Sequence, residues 1–157
     1  MTVTTSRLVT WSWLSVAWLA IDTNRSYDWR SSLELFRSAT RTVPHSARAH
    51  MELASAYGKA DDIEAALVSF KRATDIMPGY AAAWYNKANM LARRGRYGEA
   101  TEAYRQAITH APAFEQAWFN LGLTYSIIGQ PAQSVLALER AQEIRTTAPV
   151  ANRQTSR

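Results

Sequence analysis

The fold is decided by residues 81–114, which read AAAWYNKANMLARRGRYGEATEAYRQAITHAPAF. Three residues in the first half recur at i, i+4 and i+7, the spacing of one helix face: Trp84, Ala88 and Leu91. The same spacing returns in the second half: Ala100, Tyr104 and Ala107. Gly95 ends the first helix and Pro112 stops the second, so this stretch predicts a helical hairpin.

The same pattern returns along the chain at an interval of 34 residues. Alanine occupies one column: Ala39, Ala73, Ala107 and Ala141. A larger apolar or aromatic residue occupies another: Phe36, Phe70, Tyr104 and Leu138. A fixed period of this length indicates one hairpin that is copied and stacked, each copy covering the apolar face of its neighbour. The sequence therefore predicts an all-α fold of antiparallel helical hairpins.

The composition agrees with this fold and excludes several kinds of functional site. The chain has 157 residues, 47% of them hydrophobic, and it has no cysteine. It can therefore bury a core, and it has neither a disulfide framework nor a thiolate site. The net charge is +5, with one local group of basic residues, Arg93, Arg94 and Arg96, which the register places at a solvated turn. No basic stripe with base-reading residues is visible, so nucleic acid is not expected as a partner, whereas an acidic protein or an anionic membrane surface is weakly favoured.

The chain resembles the tetratricopeptide repeat family, whose loose signature is W-x2-L-G-x2-Y, then A-x3-F-x2-A, then P. The third copy matches with Trp118, Leu121, Gly122, Tyr125, Ser134, Leu138 and Ala141. The first copy matches with His50, Leu53, Ala54, Tyr57, Ala66, Phe70, Ala73 and Pro78. The second departs at Lys87 and Leu91, where leucine and tyrosine are usual. The resemblance implies a right-handed superhelix of hairpins that binds a protein or peptide segment.

The register divides the chain into six segments: 1–24, an apolar amino-terminal helix; 25–46, the second helix of a partial repeat; 47–80, 81–114 and 115–148, three full repeats; and 149–157, a disordered tail. Three interpretations of the first segment stay open. Its apolar part, residues 8–21, is a membrane anchor, a signal-like segment or a degenerate first repeat helix. The protein is membrane-associated if that helix is an anchor and cytoplasmic otherwise.

A second resemblance concerns the junction after this apolar segment. It is similar to the start of the carboxy-terminal repeat region of membrane O-mannosyltransferase-type glycosyltransferases, through Asp28, Trp29, Leu35, Phe36, Arg37, Ser38, Pro44, Ala47 and His50. This resemblance implies that the chain is the detached repeat region of such an enzyme. The catalytic part would then be absent.

No catalytic, cofactor or metal site is expected. His45 follows a proline at a turn, His50 replaces the packing tryptophan of its copy, and His110 ends a helix, where a cation suits the dipole. Asp61 and Asp62 stand where a helix begins, and their predicted role is capping. No H-E-x-x-H, glycine-rich phosphate loop or G-x-S-x-G occurs, so the chain is not expected to be an enzyme.

In the resembled family the first helices of successive repeats line a concave groove. This resemblance assigns ten residues to a peptide-binding groove: Met51, Glu52, Ser55, Tyr85, Asn86, Asn89, Gln116, Phe119, Asn120 and Leu123. Asn86 and Asn120 are one period apart, and an amide has both a donor and an acceptor for an extended backbone. A carboxylate clamp is disfavoured because Met51, Gln116 and Asn120 stand where it needs basic groups. Self-association through residues 135–144 of the last repeat is a further alternative.

Overall fold

The computed structural model describes residues 31–147, and the regular structure within that range is helical. A helix that we call α1 covers 31–42 of the described range. Six helices follow: α2 (Ala47–Lys59), α3 (Ile63–Ile76), α4 (Ala81–Arg93), α5 (Tyr97–His110), α6 (Glu115–Ile127) and α7 (Pro131–Thr147). The predictions for residues 1–24 and 149–157 lie outside the described residues.

Capping side chains account for the starts of α2 and α3. Ser46 caps α2 by accepting a hydrogen bond from the backbone N–H of Ala49 at 3.2 Å. Asp62 caps α3 in the same way through the N–H of Ala65, also at 3.2 Å, which confirms its predicted role. These side chains satisfy amide groups that have no partner within the helix.

Each hairpin is held together by small residues at the helix crossing. Helices α2 and α3, α4 and α5, and α6 and α7 form the three hairpins, and α3–α4 and α5–α6 contacts join one hairpin to the next. Ala66 and Ala100 are fully buried, as are Ala73 and Ala107 of the alanine column. A residue without a larger side chain lets two helix backbones approach closely, and the buried rings of Phe70 and Tyr104 then fill the space beside them.

The largest apolar cluster joins the second and third hairpins. It contains buried residues of α4, α5 and α6, among them Leu91, Tyr104, Ile108 and Leu121. Because every hairpin packs chiefly on its neighbours in sequence, the first helices α2, α4 and α6 are placed side by side. Within residues 31–147, no helix is both long enough and apolar enough to span a bilayer.

Candidate binding groove

The ten predicted groove residues lie on the first helices of the three hairpins. Helix α2 carries Met51, Glu52 and Ser55; α4 carries Tyr85, Asn86 and Asn89; and α6 carries Gln116, Phe119, Asn120 and Leu123. Those of α2 and α4 are half-buried, whereas Phe119 and Leu123 are 45% and 44% exposed. The surface thus presents half-buried polar groups beside exposed apolar ones.

A polar network joins α4, α5 and α6 at the centre of this surface. The Tyr104 hydroxyl donates to Asn89 Oδ1 at 2.6 Å. The Asn120 amide, through Nδ2, donates to the same Asn89 oxygen at 3.1 Å and to the Tyr85 hydroxyl at 3.2 Å. These bonds use both protons of the Asn120 amide and fix which way both amides face. Tyr85, Asn89 and Asn120 are therefore brought together.

Aromatic rings support the network from behind. The Tyr85 ring lies 4.7 Å from that of Phe114 and 6.0 Å from that of Tyr104, measured between ring centroids. Tyr104 is only 2% exposed, and its burial raises the pKa of the phenol to about 12. Because its hydroxyl stays protonated, Tyr104 remains a hydrogen-bond donor to Asn89 throughout the neutral range.

The remaining predicted residues do not join this network. The Ser55 hydroxyl donates within its own helix, to the carbonyl of Met51 at 3.0 Å. Met51 packs against the cluster formed by Ala54, Ala66 and Phe70. The half-buried side chain of Asn86 makes no hydrogen bond within residues 31–147, so its donors and acceptor are free to bind a ligand.

A repeated hydrogen bond fixes the start of each first helix. The indole N–H groups of Trp84 and Trp118 donate to the carbonyls of Pro78 and Pro112, at 2.7 and 2.9 Å. In the first hairpin, Nε2 of His50 lies 3.0 Å from the corresponding carbonyl, that of Pro44. Because a carbonyl only accepts, this bond requires the proton on Nε2, and His50 performs the role of the absent tryptophan.

Charges near the turns are paired. Arg93 lies 2.7 Å from Asp61, Arg94 lies 3.0 Å from Glu64, and Arg96 binds Glu99 with two bonds of 2.7 Å. The predicted basic group is therefore a set of solvent-exposed ion pairs that link turns and helices. Among residues 31–147, no group of three metal-binding side chains comes together.

Lys87 stands where the repeat signature usually has leucine, and its contacts explain how lysine fits there. Its ammonium lies 4.8 Å from the centroid of the Trp84 ring, one turn earlier on α4. Burial, with nearby Lys71, lowers the pKa of Lys87. The lysine stem replaces the usual leucine as packing, and its charge is stabilised by the ring face.

Sequence profiles of the tetratricopeptide repeat match residues 25–81, 81–114 and 115–147. No curated protein matches the chain in sequence. The matched profiles describe the repeats alone, so the resemblance to a glycosyltransferase stays a prediction.

Solved structures of MamA are similar to the described fold. One MamA crystal structure shares 27% identity with a TM-score of 0.73, over 75% of this chain and 69% of that one. A second shares 27% with a TM-score of 0.71, over 75% and 64%. A third, at 15% identity and a TM-score of 0.69 over 78% and 70%, shows likeness of fold alone. This chain spans about two thirds of the length of these MamA chains. The predicted all-α superhelix of hairpins is confirmed.

One member of the central network is not predictable from the repeat pattern. The column of Tyr104 predicts only a residue that fills the gap between copies, because the equivalent Phe70 and Leu138 have no hydroxyl. The signal that could have found the network is the spacing of Asn89 and Asn120, which is about one helical turn short of the period. Residues at that spacing on adjacent first helices face each other, as their hydrogen bond shows.

Proposed function

Since this chain belongs to the tetratricopeptide repeat family of protein-interaction scaffolds, we propose that it holds an extended segment of a partner protein in its groove. Asn86, Asn89 and Asn120 bind the backbone of that segment. Phe119 and Leu123 contact its apolar side chains.

The central polar network carries this proposal. Both protons of the Asn120 amide are committed to Asn89 and Tyr85, so Asn120 Oδ1 is left to accept from a ligand. The Asn89 oxygen is likewise occupied, which leaves its Nδ2 protons to donate. A backbone amide of an extended segment offers the matching donor and acceptor. Because these groups are held in place before binding, less conformational entropy is lost on association.

The test uses peptides selected from a random display library on the full chain. Their dissociation constants are measured by fluorescence anisotropy with the wild type, Asn86→Ala and Asn120→Ala. We expect each substitution to weaken groove binders by roughly 5- to 20-fold, the effect of losing one or two hydrogen bonds. Gln106→Ala is the control, because that amide lies on α5 and binds Glu102.

Unchanged affinity in both asparagine variants would reject the backbone contacts and leave the scaffold role standing. Asn86→Ala is the cleaner variant, because Asn120→Ala also frees groups within the network. Circular dichroism of each variant then separates a lost contact from a lost fold.

Self-association is the second candidate. Six large apolar side chains are exposed on α6, on α7 and at Ile128, the residue that follows α6. They are Phe119, Leu123, Ile127, Ile128, Val135 and Leu136. Exposed apolar surface of this kind is typical of an interface. Sedimentation velocity over a range of concentrations is expected to show an assembly that Ile127→Glu dissociates. A strict monomer at every concentration rejects this candidate.

A further inference from the structure

A cleft lies between α5 and α7, with α6 as its floor. It has a volume of about 500 Å³, and its lining includes Arg105, Ile108, Trp118, Leu121, Leu136 and Arg140. Its volume is in the range of ligand sites, and its middle is apolar with an arginine on each side wall. We call it the α5–α7 cleft.

This cleft is separate from the groove. Leu121 lies two residues from both Phe119 and Leu123, which is about 200° around the helix. The floor of the α5–α7 cleft and the apolar groove residues Phe119 and Leu123 therefore occupy nearly opposite faces of α6. A ligand in one does not contact the other.

The first hairpin repeats the arrangement on a smaller scale. A recess of about 360 Å³ is lined there by residues that include His50, Leu53, Val68 and Arg72. These are the repeat counterparts of Trp118, Leu121, Leu136 and Arg140, respectively. Val68 is 71% exposed and Leu136 66% exposed, so both copies hold a large apolar side chain in water at the same position.

The middle hairpin has a different chemistry at these positions. Glu102 stands in place of Val68 and Leu136, and Gln106 in place of the arginine. The floor residue is Lys87, whose ammonium lies against Trp84. The hairpin fold itself therefore does not require an exposed apolar residue or an arginine at these positions. The apolar and cationic combination is a property of two particular copies.

The arginines of the α5–α7 cleft are available to a partner. Arg105 lies 3.7 Å from Glu102 and Arg140 lies 2.7 Å from Glu143, and all four side chains are more than half exposed. Ion pairs in this setting contribute little to stability and exchange readily for a better-placed carboxylate. A carboxylate beside the apolar middle of the cleft would be partly shielded from water, so its pairing with arginine would be stronger.

We propose that the α5–α7 cleft is a second docking site, whose occupant is a short acidic segment of a partner protein. One large apolar side chain of that segment rests between Trp118 and Leu136, and its carboxylates bind Arg105 and Arg140. The net charge of +5 also favours an acidic occupant over a basic one. The recess of the first hairpin shares the apolar position and one arginine, but Asp75 also lines it, so an acidic segment should bind there more weakly.

The test is a selection of random 12-residue peptides on the full chain, followed by affinity measurement with variants. We expect a class of peptides with an apolar residue flanked by aspartate or glutamate. Leu136→Glu should weaken this class by roughly tenfold or more, because it removes an apolar contact and adds a repelling charge. The double substitution of Arg105→Gln with Arg140→Gln should weaken it by roughly fivefold or more.

Matched controls separate this site from the groove. Val135→Glu introduces the same charge at the neighbouring residue of α7, which does not line the cleft, and it should leave affinity unchanged. Asn86→Ala should also leave this class unaffected while weakening groove binders. The two proposals can then fail independently.

Several outcomes would overturn the proposal. Selected peptides that lack acidic residues, or that bind Leu136→Glu as well as the wild type, remove the docking site. If Val135→Glu lowers the peptide affinity as much as Leu136→Glu does, the added negative charge alone weakens binding, and the cleft is not the site. If no peptide class emerges but phosphatidylglycerol vesicles bind the wild type and not Leu136→Glu, the surface is lipid-binding and the peptide proposal is wrong.

Discussion

At the scale of single residues, one position of the repeat determines how each first helix turns into the second. Asp61, Gly95 and Gly129 occupy it, with φ of 62°, 74° and 74°. The sequence predicts that Gly95 ends its helix, and the left-handed backbone explains why glycine suits that position. The conformation of Asp61 is not predictable from its sequence context, where an aspartate before a helix most often signals a cap.

We predict that Gly95→Ala lowers the free energy of unfolding by about 1 kcal/mol, because a side chain disfavours the left-handed region. Gly98→Ala is the matched control, three residues later and inside α5, where an added Cβ meets nothing within 4 Å. It should raise the stability by up to about 1 kcal/mol through helix propensity. Urea unfolding of both variants checks the opposite signs, and two changes of the same sign would contradict the assigned role of Gly95.

We also predict a pH dependence that belongs to Tyr104. Its pKa is raised to about 12 by burial, whereas an unfolded tyrosine titrates near pH 10. The folded state therefore holds this proton more tightly, and its contribution is complete below pH 10 and lost as the pH rises to 12. Across that window the free energy of unfolding should fall by about 2 kcal/mol on account of this group.

The measurement compares urea unfolding of the wild type and Tyr104→Phe from pH 9 to pH 12. The variant should be less stable by about 1 kcal/mol at neutral pH, having lost the bond to Asn89. Its free energy of unfolding should also fall less between pH 9 and pH 12 than that of the wild type, because the two proteins share all the other titrating groups. Parallel pH profiles would show that the Tyr104 proton is not held more tightly in the folded state.

At the scale of helices, the positions of glycine and proline predict most of the helix ends that the structure shows. Helix α4 ends at Arg93 before Gly95, and α5 begins at Tyr97 and ends at His110 before Pro112. Helix α7 runs on to Thr147, because Thr146 replaces the proline that stops the other second helices. The 34-residue period alone does not predict the central polar network, because Asn89 and Asn120 are 31 residues apart and Tyr104 bonds to Asn89 within its own copy.

Helices α6 and α7 approach closely at Gly122, and this contact gives the next prediction. A Cβ on Gly122 would come within 2.7 Å of Leu138 Cγ and 3.2 Å of the Ser134 carbonyl. Gly122→Ala should therefore cost about 1–3 kcal/mol through overpacking. In α2, Gly58→Ala would meet only the flexible end of Met90, at 3.1 Å from its sulfur, and should be better tolerated.

Thermal unfolding of the two glycine variants tests this contrast. Adding Leu138→Phe to Gly122→Ala should recover part of the lost stability. The equivalent positions in the first copy hold Ala54 and Phe70, which pack together with at most 1% exposure. Equal effects of the two single substitutions would show that the α6–α7 crossing is not tight.

At the scale of the whole molecule, stability is a sum of neighbouring hairpin contacts. Most residues of the largest apolar cluster lie on α4, α5 and α6, in the middle of the described stack, with Leu67 of α3 and Ala137 of α7 at its edges. The middle hairpin lies between two other hairpins. The first hairpin packs against α1 through Leu33 and Leu53, whereas no helix follows the last hairpin within residues 31–147. We expect the middle hairpin to open last, since units with fewer buried contacts open at a lower free-energy cost.

Hydrogen exchange measured by mass spectrometry tests this gradient. Amides of α4 and α5 should exchange most slowly, and those in the last turn of α7 should exchange fastest within residues 31–147. The asymmetry should shrink when a bound peptide connects α4 to α6. Uniform protection along the stack would instead indicate a single all-or-none unit.

The central claim is that the partner segment lies across the first helices and is held by their amides. The most direct measurement is an NMR titration of the side-chain amide signals with a selected groove peptide. Signals of Asn86 and Asn120 should move together and saturate with the affinity measured by anisotropy, while the indole N–H of Trp118 should stay in place. Movement of the Trp118 signal with unmoved asparagine signals would contradict the claim.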